Sequence, residues 1–227
     1  MIKRIAFAGA GSSTEGRPVR WSSRAEAASD APDDIRPLRI TWCTALTDIG
    51  SQPEHAGLGL EWFGDEAHLD RFDAWVAGVA PDDGVDPVIL AAEHIMRGDE
   101  WLDRRWSGDR STFKHVAVAR RAVGLTPAQF SETWRTGAGR VQRASDQPAL
   151  VIPDDVRGCA YVQNHPLPRA DGEWAYDAVN EVSFDDLDGL RRRVDWFAEH
   201  VGAGAEPDLI SANGFLALTE VVVLPGR

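Results

Sequence analysis

Phe113-Lys114-His115-Val116-Ala117-Val118-Ala119-Arg120-Arg121-Ala122-Val123-Gly124-Leu125-Thr126-Pro127-Ala128-Gln129-Phe130-Ser131-Glu132-Thr133-Trp134 is the stretch that decides the fold. Phe113 to Ala119 reads as a strand, rich in residues that suit a pleated, half-buried surface. Thr126 followed by Pro127 reads as a helix N-cap with proline at the first helical position. The hydroxyl accepts from an otherwise orphaned backbone N–H, and the ring pre-sets φ. A helix over Thr126 to Ala138 follows. Further along come strands at Gly158 to Asn164 and Ala175 to Phe184, a helix from Asp186 to His200 and a strand from Ile210 to Leu224. The order is βαββαβ, which places two helices on one face of an antiparallel sheet.

The preceding residues repeat this grammar. Apolar runs at Leu38 to Leu46 and Leu58 to Phe63 predict strands, Leu69, Phe72, Trp75 and Val76 recur at helical spacing within Asp65 to Val76, and Pro87 to Met96 predicts another strand. A shift of 121 residues sets Phe63 on Phe184, Asp65 on Asp186, Leu69 on Leu190 and Trp75 on Trp196. A shift of 111 sets Lys3, Ala6 and Ala8 on Lys114, Ala117 and Ala119. The chain therefore reads as a degenerate tandem repeat of two halves, 1–108 and 109–227, joined by the charged connector Arg97 to Gly108. Gly11 to Asp34, rich in Gly, Ser, Arg, Asp and Pro, reads as a long loop in place of the first half's first helix. The bare faces of the two sheets cover one another, giving an α+β protein in which two fused ferredoxin-like halves form an intramolecular dimeric α+β barrel.

At 227 residues the chain buries about 70 % of its unfolded surface, enough for a substantial core. Its net charge of −12 repels phosphate backbones and anionic lipid, so neither nucleic acid nor a membrane is expected as partner. Cys43 and Cys159 form no CxxC pair, and with no targeting or membrane-spanning segment visible a cytoplasmic setting is expected. Ile5 to Thr14 runs into Gly9-Ala10-Gly11, yet Thr14 holds the third glycine position, and Gly16, Pro18 and the lack of apolar period argue against the helix a dinucleotide fold needs. Glu93-His94, His55 and His68 lack the spacing of a metal site, so no metal is expected.

The quoted stretch resembles the opening of EthD-like domains: a first strand ending in paired arginines, a Gly-Leu-Thr helix start, then Phe130 and Trp134 four residues apart. Tyr161-Val162-Gln163-Asn164-His165 and Tyr176-Asp177-Ala178-Val179-Asn180-Glu181 are similar to that family's second and third strands. The resemblance covers 113–224. It implies the dimeric α+β barrel superfamily, which includes cofactor-free monooxygenases, polyketide cyclases, isomerases, dehydratases and decarboxylases, and haem enzymes. The chain departs from it at Gly137, where these domains often carry a histidine.

His165 is the leading catalytic candidate, because an imidazole exchanges protons near neutrality. Its repeat partner is Thr44 and that of Asn164 is Cys43, so the polar set belongs to the second half alone. Alternation puts Tyr161, Gln163 and His165 on one side of their strand and His115 on one side of its own, without fixing whether those sides share a cavity. His115 and Tyr176 are the candidate acid/base partners. Tyr161, Asn164, Asn180, Arg120 and Trp134 are candidate substrate contacts, with core packing the alternative for Trp134 and a solvated strand end the alternative for Arg120. The expected function is cofactor-independent proton transfer on a small aromatic or polyketide-like substrate: a cyclase, dehydratase, decarboxylase or isomerase. The alternatives are a non-catalytic carrier or accessory protein, and a haem-dependent or cofactor-free oxygenase. A homodimer stays open.

Overall fold

The computed structural model of the chain describes residues 1–9, 19–51, 53–79, 87–106, 111–137, 140–141, 150–201 and 208–226. Along the chain run β1 (Ile2–Gly9), α1 (Val19–Asp30), β2 (Arg39–Ala45), β3 (His55–Phe63), α2 (Glu66–Val79), β4 (Val88–Arg97), α3 (Asp99–Trp106) and β5 (Thr112–Arg121). Then follow α4 (Pro127–Thr136), a short pair β6 (Arg140–Val141) and β7 (Leu150–Val151), a 3-10 turn at Asp154–Val156, β8 (Ala160–Pro166), β9 (Ala178–Phe184), α5 (Leu187–His200) and β10 (Ile210–Leu224). Eight strands close into one antiparallel barrel in the order β1-β3-β2-β10-β5-β9-β8-β4, with β4 returning to β1. Every strand of the barrel has two neighbours, so the barrel leaves no edge open. No helix among the described residues is long and apolar enough to cross a membrane.

The two halves are superimposable in register. Ile2 pairs with Phe63 as Phe113 pairs with Phe184. Cys43 pairs with Leu58 as Asn164 pairs with Val179. Each half is a four-stranded ferredoxin-like sheet, and the halves join where β10 pairs with β2 and β4 pairs with β8. Two fused ferredoxin-like halves thus form an intramolecular α+β barrel. Strand β1, which ends at Gly9, runs antiparallel to both neighbours and so belongs to no parallel dinucleotide-binding sheet; residues 10–18 lie outside those described.

One expectation is corrected. The segment taken as a loop from Gly11 to Asp34 contains α1, the first half's counterpart of α4. Its buried face is built from Ala27, Ala28 and nearby Ala31 rather than from large apolar side chains, so it carries little apolar period. Arg24 then reaches Glu61 with Nε and Nη2, both at 2.8 Å, and fixes α1 to the sheet.

The barrel interior has two zones. Ile5, Leu58, Leu60, Ile89, Val116, Val118, Leu216 and Leu218 form an apolar core. Beside it lies a layer of charge: the Lys3 ammonium meets Glu93 and, at 2.7 Å, Glu181, while the Lys114 ammonium meets Glu181 at 2.5 Å and Glu220 at 2.7 Å. Burial by itself would raise the carboxyl of Glu181, but Lys114 and Lys3 hold it well below the ordinary range. Helix α3 closes this end: Arg105 donates to Thr112 Oγ1 at 2.8 Å, and Trp106 meets Trp62 edge-on.

Candidate functional site

The polar residues singled out from sequence divide between the two faces of the sheet. On the outer face of β8, Tyr161, Gln163 and His165 point toward α4. That helix is set by a complete capping box, Thr126 Oγ1 accepting from Gln129 N and Gln129 Oε1 accepting from Thr126 N. Phe130 then packs on Ala119 and Ala178, which turns Ser131 and Trp134 over the sheet.

A continuous hydrogen-bond chain results. Gln163 Nε2 donates to the Trp134 carbonyl at 3.3 Å and to the Tyr161 oxygen at 2.8 Å. A carbonyl only accepts, so the amide orientation of Gln163 is fixed and its Oε1 faces His165 Nε2 at 3.2 Å. His165 therefore carries its proton on Nε2, and its Nδ1 accepts from the Ser131 hydroxyl at 2.6 Å. Trp134 Nε1 donates to Asn180 Oδ1 at 3.0 Å, which turns Asn180 Nδ2 onto the Tyr161 oxygen at 3.1 Å. Tyr161 thus accepts two N–H donors and keeps its own O–H for another acceptor.

Burial first, then His94 and Arg135, push the His165 imidazole down to about 4, so it is neutral at pH 7. His94, exposed on β4, packs edge-on against it with ring centroids 4.9 Å apart. Burial raises the Tyr161 phenol, against which the Gln163 hydrogen bond and then Arg193 act.

The structure thus brings His165, Tyr161, Asn180 and Trp134 into one connected group. His115 lies on the same outer face but under α5: Arg193 Nε donates to its Nδ1 at 3.0 Å, Phe215 stacks on its ring and Phe197 meets it edge-on. Burial and then Arg193 depress His115 well below the ordinary histidine range. The other candidates are elsewhere. Asn164 points into the barrel and donates to the Val179 carbonyl and to Glu181 Oε1. Tyr176 joins the interior core at the end away from α3, its hydroxyl 2.8 Å from His55 Nε2, with exposed Arg120 beside its ring. Burial, then Glu54, raise the Tyr176 phenol to about 12.

Sequence reasoning passed over Ser131, Gln163 and Arg193 as site residues. Gln163 shares its strand parity with Tyr161 and His165, which was a usable signal. Strand parity does not reveal which helical side chains lie above the strand, so Ser131 and Arg193 gave none.

Neither buried histidine on this face suits a haem iron. Both nitrogens of His165 are in hydrogen bonds, and the proton of neutral His115 sits on Nε2 because Nδ1 accepts from Arg193. These two side chains do not fit that group.

A closed antiparallel barrel of two βαββαβ halves, with a polar cluster under the helices of one half, defines a dimeric α+β barrel contained in a single chain. No family model and no curated protein sequence matches the chain. Among solved structures it is similar to a protein from Lactobacillus acidophilus NCFM described as a "putative monooxygenase", at 10% identity and a TM-score of 0.45, covering 99% of this chain and 96% of that one. A protein of the same description from Fusobacterium nucleatum gives 9% identity and 0.47, covering 100% and 95%. Chlorite dismutase from Candidatus Nitrospira defluvii gives 8% and 0.45, covering 98% and 91%.

Proposed function

We propose that the group formed by Ser131, His165, Gln163, Tyr161 and Asn180 is the proton-transfer site of an enzyme. It acts without a cofactor on a small aromatic or polyketide-like molecule, by cyclisation, dehydration, decarboxylation or isomerisation. The observation that carries this is the hydrogen-bond chain from the Trp134 carbonyl through Gln163 to His165, which fixes the tautomer and presents Nδ1 as a base through Ser131. The EthD-like motif of 113–224 supports the same assignment.

In the step that fits this arrangement, a substrate C–H beside a carbonyl gives its proton to Ser131 Oγ as the hydroxyl proton passes to His165 Nδ1. The C–H electron pair moves into the carbonyl to give an enolate. Tyr161 O–H donates to the developing oxyanion, and the N–H groups of Gln163 and Asn180 stabilise the charge that accumulates on its own oxygen. Held near 4, the imidazole is a weak base at pH 7 and its conjugate acid a ready donor, which suits the return of the proton to a second carbon or a leaving hydroxyl better than its abstraction.

The test is solvent deuterium incorporation into a panel of aryl methyl ketones, followed by proton NMR. Acceleration over buffer by the native chain is expected, with a loss of about 100-fold in His165→Ala and in Tyr161→Phe. Binding without exchange would make the protein a carrier and overturn the enzyme assignment.

A further inference from the structure

Arg193 is a buried cation with no carboxylate paired to it among the described residues. The residue is 7% exposed, yet its guanidinium donates only to neutral acceptors, His115 Nδ1 at 3.0 Å and the Val156 carbonyl at 2.8 Å, and lies over the Phe197 ring. No carboxylate among the described residues forms an ion pair with it; the neighbouring Asp154 is taken by Arg157 at 2.9 Å. Two other buried cations contrast with this, Lys3 and Lys114 each meeting two glutamates, whereas buried Arg39 lies over the Trp62 and Trp106 rings in the field of Glu93, Glu220 and Glu181. A buried charge without a partner is costly, so one that persists calls for a ligand that compensates it.

What surrounds Arg193 says what that ligand is. Its electrostatic neighbours are the Tyr161 phenol and Arg97. A bulge between Ile95 and Arg97 sets Arg97 opposite Tyr161 across β4 and β8, on the outer face. Arg97 donates to the Arg157 and Gly158 carbonyls and forms no ion pair among the described residues, although Asp154 acts on it electrostatically. Arg97 lies within electrostatic reach of both Arg193 and Arg157, the latter paired with Asp154, beside the turn before β8. The Tyr161 oxygen, which accepts from Gln163 and Asn180, lies within electrostatic reach of Arg193.

We propose that Arg193, aided by Arg97, binds the carboxylate of an anionic aromatic substrate and holds its ring against Phe197 with its reacting oxygen at Tyr161. This inference rests on the acid/base site described above and names its substrate class: aromatic carboxylates rather than neutral ketones. Arg193 is a binding residue in it, not a proton carrier.

The experiment compares 4-hydroxybenzoate with 4-hydroxybenzamide, which differ in charge but hardly in shape, by calorimetric titration of the native chain, Arg193→Met, Arg193→Lys and Arg97→Met. The native chain is expected to bind the acid at least about tenfold more tightly than the amide. Arg193→Met should lose that preference with the amide unaffected, Arg193→Lys should keep part of it, and Arg97→Met, at an exposed position, should weaken the acid a few-fold. Equal affinities in the native chain, no binding of either compound, or a preference that survives in Arg193→Met would each overturn the proposal. If Arg193→Met does not fold, the acid-to-amide ratio of the native chain and of Arg97→Met decides alone. Deuterium exchange of ketones without any preference for the acid would sink this proposal and leave the acid/base site standing. A preference for the acid without exchange would do the reverse.

Discussion

Glu181 is where the barrel is most exposed to a single substitution. Its carboxylate sits between the Lys3 and Lys114 ammonium groups and also accepts from Asn164 Nδ2 at 2.8 Å, with 2% of the residue exposed. Glu181→Gln keeps the shape and removes the charge, leaving Lys3 with Glu93 alone and Lys114 with Glu220 alone. Removing one partner of a buried ion pair costs about 3–5 kcal/mol. In a chain of this length each kcal/mol is worth about 2–4 °C, so the melting temperature should fall by roughly 6–20 °C. Urea unfolding followed by tryptophan fluorescence measures the loss, and Lys114→Met should cost less in the Glu181→Gln background than in the native chain, a coupling of about 1–3 kcal/mol. The folded carboxyl lies below its unfolded value, so its contribution is fully present above about pH 4.3 and fades as the pH falls. The gap between native and variant should therefore narrow toward pH 3. A loss under about 1 kcal/mol at pH 7 with no coupling would refute the account of this layer.

His165 should titrate near 4 by nitrogen-15 NMR, and because that value lies below the unfolded one of about 6.5, its contribution to stability is complete above that pH and lost between the two; a resonance titrating above 6 would contradict the described environment. Gly98 has φ of +84°, and a Cβ there would meet the Cys159 carbonyl oxygen and the Ala160 backbone. Gly98→Ala should cost about 2–4 kcal/mol in urea unfolding, and a neutral result would mean that the β4–α3 corner relaxes freely.

Register is what the sequence displays best here. The shifts of 111 and 121 residues that align Lys3 with Lys114 and Phe63 with Phe184 coincide with the pairing of β1 on β3 and of β5 on β9. A third correspondence stayed hidden. Ala92 lies opposite Ile2 as Thr219 lies opposite Phe113, which makes Glu93 and Glu220 equivalent at a spacing of 127 residues. The segment with β6 and β7 precedes β8 and belongs to the step from 111 to 121, whereas a longer stretch between β9 and β10 than between β3 and β4 makes the step from 121 to 127. The repeated Lys–Glu pair therefore shares no single repeat period. Helix α1 escaped notice for a different reason: alanines and an arginine stem bury as well as leucines, but they leave no apolar period. At the candidate site, parity grouped Tyr161 with His165, whereas placing Asn164 inside and His115 under α5 needed the closed barrel and the helices above it.

The two halves answer the same problem with opposite charges. Under the helices of the first half the buried group is an anion, Glu61, and Arg24 and Arg4 compensate it. At the equivalent position the second half has Val182, which lies opposite both Tyr161 and His115 in the sheet, beneath the helix that carries Arg193. Supplying a carboxylate there reproduces the first half's solution. Val182→Glu and Val182→Gln disturb the packing alike and differ in charge, so their difference in stability isolates what an anion does beside Arg193. If that guanidinium lacks a counter-ion, Val182→Glu should be the more stable of the two by about 1.5–3 kcal/mol, the worth of a hydrogen bond to a charged group. Val182→Glu should also abolish any preference for 4-hydroxybenzoate, since the internal carboxylate then holds the place of the ligand's. Equal stabilities would show that Arg193 is already compensated, and the anion site would lose its physical basis.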